Sequence, residues 1–334
     1  MVGNIVEVTM GDKYPGISVV IPAYNGEKTI GKTIESILNQ KYEGEIEIII
    51  VNDCSTDGTL EVVQQYPTKI INNDTNLGLA YSVNKGVKAS KNDIVSVIHE
   101  DILLIDKEWV KKLVPYLKEG VAVVSSPVML PREIYDTFGF WEMVLFSWDL
   151  KEDYEKTVEI FTDGYNEFKN VIFKKDIFLK FGGLDGNIYR AACEDVDLSM
   201  KLFKAGYNMV SVPIPVYHLH SSRAANLSKI LFEYRPRLSE GQGVLFRKYG
   251  FRSWDINNQN FKTIAIIALF VPFNIIRIVG ALFILAIIFG NTIRAFKVMK
   301  NLKVFILVPL VKILDYFLEV IYFWKGFLTG RQRK

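Results

Sequence analysis

The stretch Ile94-Val-Ser-Val-Ile-His-Glu-Asp101 decides the fold that this sequence predicts. Its first five residues are mostly apolar and β-branched, which is typical of a strand buried in a parallel sheet. The run then ends in an imidazole and two carboxylates. In an open α/β sheet, ligands bind in the crevice beyond the carboxyl ends of the strands. We therefore expect His99, Glu100 and Asp101 to line a ligand site.

Carboxylate oxygens with one imidazole suit Mg²⁺ or Mn²⁺, which often bridge to a phosphate group. The same short run also allows a purely structural interpretation. In that interpretation Asp101 caps the segment that follows, and His99 packs against a neighbour.

Alternating strand and helix patterns precede this stretch. Ile17–Pro22 and Glu45–Val51 are typical of buried strands, and a helical pattern over Glu27–Gln40 joins them. A third strand near Lys69–Ile71 and a helix to about Ala89 follow. This alternation predicts a mainly parallel, Rossmann-like α/β sheet.

Polar residues come directly after two of these strands. Asp53 follows the second strand, where a nucleotide's base or ribose would be bound. Ser55, Thr56 or Asp57 could simply cap the next helix. The segment Asn72–Gly78 suits a turn that needs a positive φ angle.

A second acidic cluster, Glu194, Asp195 and Asp197, opens a predicted helix that ends at Gly206. The helix dipole favours acids in a first turn by about 0.3 to 1 kcal/mol each, which alone could explain them. Three acids in four residues nevertheless exceed what capping needs. The chain's three histidines, His99, His218 and His220, all fall at predicted strand ends beside acids, although His218 could be a core residue.

Composition limits the class of protein. The 334 residues are 49% hydrophobic, enough for one or two domains with ample cores. Two distant cysteines predict neither a disulfide framework nor a zinc site, so a reducing compartment is expected. Residues 1–13 lack the apolar core of a signal peptide. The mildly acidic body disfavours nucleic-acid binding.

Six motifs in order resemble the family 2 glycosyltransferases of GT-A fold, over roughly residues 15–225. The motifs are Ile17–Asn25, Val51-Asn-Asp53 with Ser55 and Asp57, Asn76-Leu-Gly78, His99-Glu-Asp101, Gly182-Gly-Leu-Asp185 and Glu194-Asp195-Val-Asp-Leu198. His99 stands where this family usually has the first Asp of an Asp-x-Asp motif.

The resemblance implies roles for individual residues. Asp101 and His220 would bind a divalent cation, Mg²⁺ or Mn²⁺, on the donor diphosphate, and Arg223 would help to neutralise phosphate. Asp195 would be the general base, with Glu194 beside it. The residues implied in binding the nucleotide-sugar donor are Pro22, Ala23, Tyr24, Asp53, Asn76, Gly78, His99 and Glu100. Asp53 would accept a hydrogen bond from the base, which favours UDP over GDP.

The C-terminal part differs in composition from the rest. Residues 261–334 hold eleven Lys or Arg against Asp315 and Glu319, whereas the preceding residues hold 29 basic and 35 acidic ones. Ile264–Phe289 is apolar and, as a helix of roughly 39 Å, would be long enough to span a bilayer. Val304–Leu328 predicts an amphipathic helix with Lys312, Asp315 and Glu319 on one face.

A basic linker, Arg294–Lys303, joins these two helices. In a two-span hairpin it would lie on the side opposite the body, against the positive-inside tendency. We therefore expect helices that lie in or re-enter the cytosolic leaflet, with the body on the cytoplasmic face. A spanning hairpin and an apolar dimerisation module are the alternatives.

These patterns predict a catalytic domain over residues 1–252, with a donor half at about 15–126 and an acceptor half at about 127–252, and a membrane-associated tail over 253–334. The aromatic segment Pro127–Asn170 is either mostly core or a wall that binds sugar or lipid. The expected function is metal-dependent, inverting transfer of a sugar to a lipid-linked or polysaccharide acceptor. The alternatives are an inactive membrane scaffold of the same fold and a nucleotidyltransferase.

Overall fold

The computed structural model describes residues 14–131, 133, 138–141, 157–161, 168–189, 192–219, 227–250, 264–266, 268 and 272–332. Contacts divide the chain into two compact units. The first contains Met1–Met129, Asp153–Gly186 and Asp195–Ser221. The second contains Leu130–Glu152, Asn187–Glu194 and Ser222–Lys334.

The first unit is built on a mixed sheet that has eight strands among the described residues, in the order β3-β2-β1-β4-β9-β6-β10-β8. The strands are β1 (Ile17–Ala23), β2 (Ile46–Asn52), β3 (Lys69–Asn72), β4 (Ile94–Ile98), β6 (Val121–Ser125), β8 (Glu159–Phe161), β9 (Asn170–Lys174) and β10 (Asn208–Ser211). The four strands β1 to β4 pair in parallel, which confirms the predicted α/β alternation. β9 pairs antiparallel with both β4 and β6.

Helices lie on this sheet because their apolar residues recur at helical spacing. They are α1 (Ile30–Leu38), α2 (Thr59–Val63), α3 (Leu79–Ala89), α4 (Trp109–Leu113, continued by the 3₁₀ turn Val114–Tyr116), α5 (Lys175–Lys180) and α6 (Glu194–Lys204). Two apolar clusters form the core, one with Ile30, Ile34 and Trp109 and the other with Val83 and Phe178.

A second, small sheet lies beside His99, Glu100 and Asp101. It consists of β5 (Ile102–Leu103), β7 (Val128–Met129) and β11 (Val216–His218), in the order β5-β11-β7. β11 runs antiparallel to β5, so that His218 is paired with Ile102. This pairing brings the chain after the second acidic cluster back to the end of β4.

The second unit is helical in its described part. Its helices are α7 (Leu227–Lys229), the π turn Ile230–Tyr234, α8 (Arg235–Tyr249), α9 (Asn274–Met299) and α10 (Val304–Thr329). α8 and α10 approach closely at glycines. A Cβ on Gly243 would lie 2.0 Å from the Phe323 carbonyl oxygen, and one on Gly326 would lie 2.0 Å from that of Glu240.

The apolar helix does not have the predicted bounds. It begins at Asn274 instead of running on from Ile264, since Pro272 and Phe273 are not helical. Proline lacks an N–H donor and is unfavourable in a helix interior. Asn274–Lys297 is one helix, among the described residues, that is long and apolar enough to cross a membrane.

α10 is amphipathic as predicted, but its polar face is buried within the second unit. The Arg235 Nη1 donates to Glu319 Oε1 at 2.9 Å, and Lys312 Nζ donates to Asp315 Oδ2 at 3.0 Å. The outward face is apolar instead. Its exposed side chains between 305 and 321 are Phe305, Ile306, Leu310, Ile313, Leu314, Phe317 and Ile321.

Most of the predicted aromatic segment, including Tyr135, Phe146, Trp148 and Tyr154, lies outside the described residues. Of its described members, Phe140 and Trp141 stack edge to face and pack against the apolar cluster around Ile230. These two rings therefore contribute to a core.

Candidate active site

Asp53 is buried at the end of β2, and its carboxylate organises the loop that follows β3. Oδ1 accepts hydrogen bonds from Asn73 Nδ2 at 2.8 Å and from the Leu77 N–H at 2.9 Å. Oδ2 accepts from the Gly78 N–H at 2.8 Å. Gly78 has a φ of 93°, which a residue with a Cβ rarely adopts, so the turn predicted there does need glycine.

The loop after β1 is hydrogen-bonded to the loop after β2. The Asn25 N–H donates to Ser55 Oγ at 3.1 Å, and Asn25 Oδ1 accepts from the Thr56 N–H at 2.8 Å. The Gly26 N–H donates to Thr59 Oγ1 at 2.8 Å. The Ser55-Thr56 segment therefore fixes two strand-end loops relative to each other, whereas the N-cap residue of α2 is Gly58, without a side-chain capping hydrogen bond.

Asp101 and His218 meet beyond the end of β4. His218 Nε2 lies 3.1 Å from Asp101 Oδ2, and both side chains are partly exposed. The Leu219 N–H also donates to the Asp101 carbonyl oxygen at 2.7 Å. The antiparallel pairing of β5 with β11 produces this contact between residues 117 positions apart.

The start of α6 is tied to the same region of the first unit. Asp195 Oδ2 accepts from the Phe168 N–H at 3.3 Å, and the next residue, Lys169, accepts the His99 N–H at 3.0 Å through its carbonyl oxygen. Of the three acids in this segment, Glu194 and Asp197 are buried, whereas Asp195 is partly exposed. Asp195 is thus the acid of the three best able to contact a substrate.

The other residues predicted from sequence have varied surroundings. Pro22 and Ala23 are buried in β1, and Tyr24, directly after it, is exposed. Asn76 is exposed in the loop held by Asp53. Glu100 is partly buried, and its carbonyl oxygen accepts from Thr33 Oγ1 at 2.9 Å. His220 and Arg223 lie outside the described residues.

Sequence reasoning did not assign His218 a site role. The available signal was its position at the end of a short strand, two residues before His220. Local pattern does not reveal which strand pairs with which, so the contact with Asp101 was not predictable. Within the described part of the chain, no three His, Cys, Asp or Glu side chains form a group that could hold a metal ion by themselves.

Comparison with known proteins relates the N-terminal half of the chain to one family. The model of glycosyl transferase family 2 matches residues 18–181. A Haemophilus influenzae protein described as an uncharacterised glycosyltransferase is 30% identical over 184 residues, which are 48% of this chain and 56% of that protein. The glucosyl-dolichyl phosphate glucuronosyltransferase of Haloferax volcanii is 27% identical over 256 residues, 70% of this chain and 74% of that protein.

The chain spans about half the length of the Haemophilus influenzae protein and of two further curated relatives that it matches. Among solved structures, the mannosyltransferase PcManGT from Pyrobaculum calidifontis, in complex with GDP-Man and Mn²⁺, superposes with a TM-score of 0.57 at 18% identity. The match covers 95% of this chain and 90% of that one, and at this identity it bears on the fold alone. Residues 18–181, just under half of the chain, therefore form a glycosyl transferase family 2 domain, and the fold is of the GT-A type.

Proposed function

We propose that the chain is an inverting glycosyltransferase. It moves a sugar from a nucleotide-diphosphate donor to a hydroxyl or phosphate group of a lipid-linked or polysaccharide acceptor. The observation that carries the proposal is the contact between Asp101 and His218 beyond β4, in the unit that also holds the Asp53 loop and Asp195. An acidic, partly exposed site beyond parallel strand ends suits a phosphate-bound cation and a general base.

The residues at this contact fit a divalent cation. A carboxylate and an imidazole 3.1 Å apart are ligand types that Mn²⁺ and Mg²⁺ accept, and donor phosphates would supply further oxygens. Asp101 and His218 would hold the ion, and the sequence adds His220. PcManGT, which has the same fold, was solved with Mn²⁺. A cation bound there would neutralise charge on the departing diphosphate.

Asp53 is our candidate for recognition of the base. Within the described part of the chain its Oδ2 accepts one hydrogen bond, from the Gly78 N–H, and a carboxylate oxygen can accept a second. The N3–H of uracil is a suitable donor, so we favour UDP-sugars over GDP-sugars. The remaining residues assigned to the donor are Pro22, Ala23, Tyr24, Asn76, Gly78, His99 and Glu100.

For a hydroxyl acceptor, Asp195 takes the proton as the acceptor oxygen forms its bond to the anomeric carbon. The bond from that carbon to the diphosphate oxygen breaks, and its electron pair leaves with the nucleoside diphosphate. A single base on the acceptor side favours in-line attack, which inverts the anomeric centre. We assign Glu194, which is buried, a supporting role beside it.

Donor binding tests the site directly. We expect the purified chain to be stabilised by one class of nucleotide-sugar only when Mn²⁺ or Mg²⁺ is present, measured as a rise in Tm across a panel of UDP- and GDP-sugars. Ligand at a hundred times its Kd adds about 2.7 kcal/mol. A chain that binds no donor would support the scaffold alternative. Release of pyrophosphate instead of a nucleoside diphosphate would identify a nucleotidyltransferase.

The tail over residues 253–334 is proposed to bind the cytoplasmic face of a membrane. The outward faces of α9 and α10 expose large apolar side chains such as Ile275, Leu282 and Ile306. Basic residues at the ends of these helices, Arg294 to Lys303, would lie near anionic headgroups, each contributing about 1 kcal/mol. Apolar faces of this extent, rimmed by basic residues, suit insertion into a leaflet.

Vesicle flotation tests this association. We expect the full chain to float with vesicles that contain phosphatidylglycerol and to bind less to purely zwitterionic ones. The double variant Ile313→Glu/Phe317→Glu should float several-fold less, because it puts charges on the outward face of α10. Leu38→Glu, at an exposed leucine of the first unit, is the matched control and should float normally. Equal flotation of all three proteins would contradict the proposed surface.

A further inference from the structure

The turn that leads into α6 has an unfavourable backbone conformation. Ala192 has a φ of 98° and Cys193 a φ of 75°, both in the left-handed region. Non-glycine residues in this region are strained, and such strain persists only where the surrounding structure enforces it. Glu194 and Asp195 follow immediately, so this turn sets the direction from which the acidic segment begins.

Gln332, which follows α10, holds this turn within the second unit. Its side-chain Nε2 donates to the Ala192 carbonyl oxygen at 2.9 Å and to the Arg237 carbonyl oxygen at 3.0 Å. Its backbone N–H donates to the Ile188 carbonyl oxygen at 3.0 Å. Gln332 is buried. A primary amide supplies two N–H donors on one nitrogen, so it can join a turn carbonyl to a helix carbonyl.

The packing around Gln332 leaves little freedom for another arrangement. A Cβ on Gly241 would lie 2.5 Å from Gln332 Nε2 and 2.8 Å from Cys193 Sγ. Cys193 is itself buried, with its Sγ 3.9 Å from the Leu238 carbonyl oxygen. α8 therefore presents its backbone to both the amide and the thiol. The strained turn is enclosed between α8 and the segment after α10.

We propose that Gln332 is a positioning residue for the acidic segment: by holding the Ala192 carbonyl it fixes the first turn of α6 and with it the carboxylate of Asp195. The inference rests on the proposed role of Asp195 as general base. Under this proposal the segment after α10 affects catalysis, in addition to the membrane binding proposed for the tail.

The kinetic test compares three variants of the full chain. Gln332→Ala is expected to lower kcat by about 10²-fold, since misplacement of a catalytic group by about 1 Å has an effect of this size. The KM for the donor should stay within twofold of the wild-type value, because donor contacts are assigned to the first unit. Arg331→Ala changes the exposed neighbouring residue and should leave kcat unchanged.

Gln332→Glu provides a pH signature, measured below the Tm of the variant at each pH so that unfolding does not contribute. Its carboxylate has no donor for the two carbonyl oxygens, whereas its protonated form can donate one hydrogen bond. The ratio of its kcat to that of the wild type should therefore rise as the pH falls. The corresponding ratio for Gln332→Ala should stay constant. A Gln332→Ala protein with normal kcat below its Tm would overturn the proposal.

Thiol labelling tests the turn without any assay of transfer. In the Gln332→Ala protein we expect Cys193 to react with a maleimide at least tenfold faster than in the wild type, resolved by peptide mass spectrometry. Partly exposed Cys54 is the internal reference. An unchanged labelling rate of Cys193 would overturn the proposal that Gln332 holds the turn. If the wild-type chain shows no transfer, the proposed function fails, and the labelling alone decides whether Gln332 holds the turn.

Discussion

Asp195→Asn is expected to lower the rate of sugar transfer by about 10² to 10⁴-fold, the usual contribution of a general base. Donor affinity should stay within a few-fold of the wild-type value. Asparagine keeps the size of the side chain and can still accept one of the hydrogen bonds from Val196 and Phe168. The measurement is release of nucleoside diphosphate under saturating donor, with Tm shift reporting donor binding.

The control for this variant is Asp197→Asn. Asp197 is fully buried, and its carboxylate lies 3.1 Å from Lys201 Nζ on the same helix. We expect it to lower the stability of the protein and to leave kcat close to normal below its Tm. If Asp195→Asn kept near-normal turnover while Asp197→Asn lost it, the assignment of the base would be wrong.

Asp101→Asn is expected to abolish the dependence of donor binding on metal. Removal of a carboxylate ligand costs several kcal/mol of charge stabilisation, which corresponds to roughly 10²-fold or more in affinity. His218→Ala should have a smaller effect in the same direction, since it removes the imidazole and leaves the carboxylate in place. Tm shifts with donor, measured at increasing Mn²⁺ concentrations, would quantify both effects.

Asp106→Asn is the matched control, because Asp106 is an aspartate of the same segment whose carboxylate pairs with Lys112 at 2.7 Å. It should bind donor and Mn²⁺ like the wild type. A donor-induced shift that persists without metal in the wild-type protein would contradict the cation site. If Asp101→Asn kept the metal-dependent, donor-induced Tm shift, the cation would have to bind at other residues.

Sequence patterns predicted the first half of the fold well. β1, β2 and β4 are mostly apolar and rich in β-branched residues, a local pattern that is typical of buried strands. β9 was not predicted, although it is central in the sheet. It is five residues long and follows a stretch without clear periodicity, and its antiparallel pairing with β4 is a long-range contact.

The candidate site was predicted in part for the same reason. Asp53, Asp101 and Asp195 follow or begin elements with clear patterns, so their neighbourhood could be inferred from the chain order. The contact of His218 with Asp101 depends on the pairing of β11 with the two-residue strand β5, which no local pattern reports.

The helical tail shows a different limit. Periodicity gave the two faces of α10 correctly but could not say which face is covered. The covered face is the one that binds Arg235, and Arg235 lies on α8, a helix that the sequence patterns did not predict. Buried charges are tolerated when they are paired, so a polar face can be the inner one.

The hydrogen bond from Gln332 to Ala192 joins residues 140 positions apart, and this separation has a consequence during translation. At about 5 to 20 residues per second, a ribosome adds Gln332 roughly 7 to 28 s after Ala192. Early in that interval, once Ser211 has been added, the nascent chain contains every described strand of the eight-stranded sheet. The turn before Asp195 gains its hydrogen bond from Gln332 only afterwards, so under the proposed function a nascent chain binds donor before it is competent to transfer the sugar.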